Sequence, residues 1–149
     1  MLRFAERCPF PEAQKEAMRR LHALLPARLQ ARDWWVEQVP PRDWRWGDHQ
    51  GWTMEGTMRL KQGEWTRVPG LFMHEHGHAI DQVLRTDEQR AGWAAYVAAH
   101  PERMTGYHRR DPAEQFAETV VRVYQRPLPR GYRKPDPATE MLLRQQVEG

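Results

Sequence analysis

Leu71-Phe72-Met73-His74-Glu75-His76-Gly77-His78-Ala79-Ile80-Asp81 is the stretch that decides how the rest of this chain is read. Leu71, Phe72, Met73, Ala79 and Ile80, with Val83 and Leu84 just beyond, have the apolar content of a buried helix. Inside that run His74 and His78 stand four residues apart, about one helical turn and roughly 6 Å of rise. Their imidazoles leave the same face and can hold one metal ion between them. Glu75 sits beside the pair, where a carboxylate can take a proton from water that such an ion has acidified. The competing view is a helix with three exposed histidines and no metal. The apolar flanks oppose it, because two core imidazoles and a carboxylate without partners would be costly. Chance opposes it too: with 7 His and 13 Glu in 149 residues, about 0.03 accidental His-Glu-x-x-His matches are expected.

This is the spacing of zinc-dependent hydrolases, in which three protein ligands hold Zn2+ and one position is left to water. The longer pattern, with a glycine and a third histidine downstream, fails because Asp81 and Leu84 occupy those places. Cys8 is the only cysteine, so the chain has no internal disulfide and no cysteine-based zinc site. It reads as an ordinary half-buried thiol rather than a latency switch. What does follow the motif is Tyr107-His108-Arg109-Arg110-Asp111-Pro112-Ala113-Glu114-Gln115-Phe116-Ala117-Glu118. Asp111-Pro112 opens a helix, with Asp as N-cap and Pro in the first turn. Glu114 and Glu118 then share one face. Two roles for Glu114 stand open here: a third metal ligand, or the last member of a capping box, Asp111-x-x-Glu114, bonded back to the N-cap amide.

The segment His74 to Asp81, followed by Tyr107, Glu114, Phe116, Ala117 and Glu118, resembles the gluzincins, the thermolysin-like clan. It is more closely similar to the catalytic domain of anthrax lethal factor and its small relatives. Their motif reads His-Glu-x-Gly-His-Ala-x-Asp, then Tyr, six residues, Glu-x-Phe-Ala-Glu. The likeness spans residues 53–124 and leaves out the first 30 and last 20. It implies that Glu114 is the third zinc ligand and that Glu118 accepts the spare ring N–H of a ligating histidine, His74 first. It implies that Tyr107 donates to the oxyanion of the substrate. Asp81, seven residues past His74, either supports a ligand or is simply solvated, while His76 points away from the pair and is structural. The implied activity is that of a zinc-dependent endopeptidase acting on a peptide or protein. The implied fold is α+β and zincin-like, a small twisted, mainly antiparallel sheet packed against the His-Glu-x-x-His helix and a glutamate-bearing helix.

The remaining sequence is consistent with one domain over 1–149. Apolar spacing predicts a helix over 12–32, with Pro26 as a kink. Residues 34–68 have strand and hairpin chemistry, with strands near 34–39, 43–47, 52–60 and 64–68, turns at 48–50 and 62–63, and the four tryptophans between 44 and 65 packing sheet against helices. Helices are expected over 71–84 and 87–99, from 111, and from 136 to near 147, completing a helical active-site part over 71–147. The net charge of +3 and the 20 arginines among 23 basic residues are scattered through both signs. They make no nucleic-acid footprint by themselves. The densest basic stretch, Arg126 to Lys134, is broken by Pro127, Pro129 and Gly131 and reads as a solvated loop. Two alternatives remain at this level: a zinc-bound regulatory or interaction domain with little turnover, and a DNA-associated basic protein. No run is long enough for a membrane helix, and no signal-peptide core is visible. A cytoplasmic protein is the default expectation, with a secreted or delivered effector as the other.

Overall fold

A computed structural model describes residues 1–41, 49–63 and 65–149. The chain runs β1 (Leu2–Phe4), α1 (Glu12–His22), α2 (Ala27–Gln30), β2 (Trp34–Val39), β3 (Gly51–Met54), β4 (Thr57–Lys61), α3 (Leu71–Leu84), α4 (Asp87–Ala99), α5 (Pro112–Tyr124) and α6 (Pro137–Glu148). A short 3-10 turn, Pro101–Arg103, follows α4. The class is α+β, with strand order β1-β2-β4-β3. None of these helices is long and apolar enough to cross a membrane.

The sheet is mixed, which corrects the expectation of a mainly antiparallel one. β1 pairs parallel with β2, β2 parallel with β4, and only β3 with β4 is antiparallel. α1 and α2 form the crossover that returns the chain in the same direction between β1 and β2. β1 has three residues, too few for alternation to announce it. The strand expected over 52–60 is a hairpin. Glu55 and Gly56 both take positive φ, 51° and 76°, the two-residue turn whose twist suits antiparallel strands. Residues 65–68 form turns and not a strand. Trp65 is nonetheless buried there, its indole N–H donating to Gln14 of α1 at 3.1 Å. Trp52 is buried as well. The strand expected at 43–47, with Trp44 and Trp46, lies outside the described residues.

Proline chemistry sets the helix boundaries. The helix expected over 12–32 is two pieces, and Pro26 stands at the start of the second. Asp111 and Asp136 cap α5 and α6 as their Asp-Pro pairs imply, Asp111 Oδ1 accepting from the amides of Ala113 and Glu114.

α3 is buried on most of its surface because each face meets a different neighbour. His76 faces α1 and β2: fully buried, it places Nε2 3.0 Å from His22 Nδ1 and its ring 4.8 Å from that of Trp34. Gly77 faces α5, where a Cβ would stand 2.7 Å from the Cα of Ala117. Asp81 faces α4, and its Oδ1 accepts from Arg85 at 2.9 Å and Arg90 at 3.1 Å. The Arg85 guanidinium in turn lies 3.9 Å from the centre of the Phe116 ring, closing the corner of α3, α4 and α5.

Two outcomes follow from this packing. Helix propensity alone favours Gly77→Ala by roughly 1 kcal/mol. The new methyl would meet main chain, which cannot step aside, so the melting temperature should fall; a rise would show that the two helices do not touch as described. The histidine pair makes the protein acid-sensitive. Burial before all else lowers His22 to about 4 and His76 to about 3, whereas both titrate near 6.5 when unfolded. Between those limits the unfolded chain binds more protons, so this stability is present above pH 6.5 and is lost as pH falls, by up to about 1.4 kcal/mol per pH unit for each imidazole. Urea midpoints at pH 7 and pH 5 should therefore differ, the lower pH being the weaker; equal midpoints would contradict a neutral buried pair.

Candidate metal centre

Two helices supply the centre with matching patterns. On α3, His74, Gly77 and His78 occupy positions i, i+3 and i+4; on α5, Glu114, Ala117 and Glu118 do the same. Such residues share one face of a helix. The small residue in each triplet permits close approach, and the functional side chains on either side of it then meet across the gap.

His74 Nε2 lies 3.1 Å from Glu114 Oε2, His78 Nε2 lies 3.3 Å from Glu114 Oε1, and the two Nε2 atoms are 3.2 Å apart. Three atoms bound to one tetrahedral ion at 2.0–2.1 Å would be separated by about 3.3 Å. The donor set therefore has the size and chemistry of a metal site, and His74, His78 and Glu114 form a group that could hold a metal ion. The other nitrogen of His74, Nδ1, lies 3.1 Å from Glu118 Oε1. A carboxylate there keeps the ring proton on Nδ1 and leaves the Nε2 lone pair for an ion.

The electrostatics agree with this geometry. Burial works against a charged His74, but hydrogen bonds to Glu114 and Glu118 outweigh it and raise the ring to about 10. Glu114 is held well below the usual carboxylate range, chiefly by the hydrogen bond from His74 and then by that from His78. Glu75 behaves oppositely: burial pushes its carboxyl above the usual range. It lies on the sheet side of α3, where its Oε2 accepts from Thr53 Oγ1 at 2.8 Å.

A cleft of about 510 Å³ opens over the centre, lined by residues 49–53, Leu71, His74, Glu75, His78, Gln82, His108 and Glu114. One wall is β3, the outermost strand of the sheet among the described residues.

The positions of the expected site residues can be compared one by one. His74, His78, Glu114 and Glu118 meet as one cluster, and Glu75 borders the same cleft. Asp111 does cap α5, yet the Glu114 carboxylate is turned to the histidines, while the Asp111 amide donates to the His108 carbonyl at 3.0 Å. Asp81 does not join the cluster. Its carboxylate is engaged by Arg85 and Arg90, because its position on α3 has turned toward α4. Tyr107 is fully exposed at 104% and is not brought to the cleft, whereas its neighbour His108 lines it. Cys8 lies near Gln38, whose side-chain amide donates to the Cys8 carbonyl at 3.3 Å.

Sequence reasoning missed three contacts. Thr53 reaches the carboxylate of Glu75, Tyr132 donates to Glu118 at 3.4 Å, and His22 pairs with His76. Tyr132 belongs to the segment read as a solvated loop. Burial first, then the charge of Glu118, raises its phenol well above the ordinary value. None of the three has a spacing to the motif that could have signalled it. Comparisons with known proteins return no match: no family model fits the chain, no curated protein matches its sequence, and no solved structure matches it.

Titration with Zn2+ should show about one ion per chain. His74→Ala and His78→Ala should abolish tight binding, and Glu114→Ala should weaken it strongly. Glu118→Ala should cost about 10- to 100-fold in affinity. Asp111→Ala should lower stability by about 1 kcal/mol and leave affinity alone, since only the cap is lost. Parental zinc affinity in Glu114→Ala would remove Glu114 from the ligand set.

Proposed function

We propose that the protein is a zinc-dependent peptidase of gluzincin type, with zinc held by His74, His78 and Glu114. The observation that supports this best is the placement of Glu75. It is a buried carboxylate bordering the same cleft as the three-donor cluster, with its charge disfavoured by burial and its position fixed by Thr53. When bound, zinc would supply a Lewis acid that polarises a carbonyl and makes water acidic enough to ionise near neutral pH. Glu75 is the general base: its carboxylate takes the proton of the attacking water and returns it to the departing amine. Burial raises its proton affinity above that of an ordinary glutamate, which favours taking the proton from water. Glu118 orients His74 and does not touch the substrate.

Among the described residues β3 is the outermost strand, and its edge lends itself to an extended peptide. An edge strand presents main-chain amides and carbonyls that an added strand can use, and here that strand walls the cleft. The oxyanion role that the family resemblance implies for Tyr107 draws no support from its position. His108, the residue of this loop that lines the cleft, is the better donor candidate.

Incubation with a peptide library, read by mass spectrometry, should reveal zinc-dependent cleavage that a chelator stops. Glu75→Gln should retain zinc and lose turnover by orders of magnitude, because the base is removed and the ligands are not. His108→Ala should lower turnover more than Tyr107→Phe. Undiminished hydrolysis in Glu75→Gln would exclude the mechanism. Stoichiometric zinc without any hydrolysis by the parent would favour a metal-bound interaction domain.

A further inference from the structure

Thr53 makes two contacts that a single hydroxyl cannot donate at once. Its Oγ1 lies 2.8 Å from Glu75 Oε2 and 3.0 Å from the main-chain carbonyl oxygen of the same residue. A threonine hydroxyl has one hydrogen to give and two lone pairs to receive with. An ionised carboxylate only accepts, so the hydroxyl gives its hydrogen to Oε2. The second contact, to the main-chain carbonyl of Glu75, keeps the hydroxyl beside the turn of α3 that bears the carboxylate.

The strand that bears Thr53 is fitted to this task. Gly51, two residues earlier, is on the same face of β3. A Cβ there would stand 3.2 Å from Glu75 Cγ and 3.3 Å from its Oε1, so its absence leaves room for the carboxylate. Gln82 pins the strand to α3 from the other side. Its Nε2 donates to the Thr53 carbonyl at 2.9 Å, and its Oε1 accepts from the Gly56 amide at 2.9 Å.

We propose that Thr53 is the positioning residue for the general base, a hydroxyl that holds the Glu75 carboxylate in one place beside the metal cluster. The proposal rests on the peptidase reading of Glu75. The proton balance is simple: Glu75 receives one proton from water and passes it to the leaving amine, while Thr53 keeps its own.

Thr53→Val keeps the branched shape and removes the hydroxyl; Thr53→Ser keeps the hydroxyl. On an internally quenched peptide cleaved by the parent, Thr53→Val should lower kcat by about 10- to 100-fold, the range found for partners that orient a functional group. KM and zinc affinity should stay near parental values, since the hydroxyl is turned to Glu75 and bonds no zinc ligand, and the melting temperature should fall only slightly for one lost part-buried hydrogen bond. Thr53→Ser should recover most of the lost rate. Parental kcat in Thr53→Val, or a serine variant as slow as the valine one, overturns the proposal. Crystal structures of the metal-free variants give a readout independent of turnover: the Glu75 carboxylate should leave its place in Thr53→Val and keep it in Thr53→Ser. An unmoved Glu75 in Thr53→Val also overturns it. If the parent cleaves no peptide, the peptidase reading fails by itself, and the crystal structures still decide whether Thr53 holds Glu75.

Discussion

The contact between Gly77 and Ala117 is the constraint on which the centre depends. A side chain at position 77 would meet the main chain of α5, so the two helices stand as close as their backbones allow. The functional groups flank that contact on both helices, His74 and His78 on one, Glu114 and Glu118 on the other. Separating the helices by the thickness of a methyl group would move every histidine away from every glutamate. A glycine that weakens its own helix stands at the point where closeness brings together a group that could hold an ion.

The same helix serves two further purposes on its other faces. His76 is turned into the core, where it shares a hydrogen bond with His22 and stays neutral. Glu75 is turned to the sheet, where burial raises its proton affinity and Thr53 fixes its place. One helical stretch of five residues therefore contains two imidazoles of a group that could hold an ion, a buried imidazole paired with another, and a buried carboxylate. What differs among them is the neighbour each side chain meets.

Much of this was legible in the sequence, for reasons that differ by element. α3, α4, α5 and α6 announced themselves through apolar spacing and through Asp-Pro openings, both of which are local signals. The cluster itself is non-local, yet it could be read because i, i+3 and i+4 spacing on each helix fixes a common face before the helices meet. The sheet was less readable. β1 is too short to show a period, the parallel pairings depend on a crossover, and the Glu55-Gly56 turn looks from the sequence like one more pair of residues in a strand. Thr53, Tyr132 and His22 were invisible for another reason: each reaches its partner through tertiary packing, at sequence distances with no fixed relation to the motif. Asp81 shows the limit of arguing from helical spacing, and Tyr107 that of arguing by family likeness. Arg85 and Arg90 claim the first, and the second is exposed to solvent.

Anomalous diffraction at the zinc edge from crystals of the zinc-loaded protein tests the central claim most directly. The account predicts a single peak bonded to His74 Nε2, His78 Nε2 and a carboxylate oxygen of Glu114, at about 2.0–2.2 Å, with Glu118 still against His74 Nδ1. A peak elsewhere, or one at the histidines with Glu114 turned away toward the Asp111 amide, would contradict it.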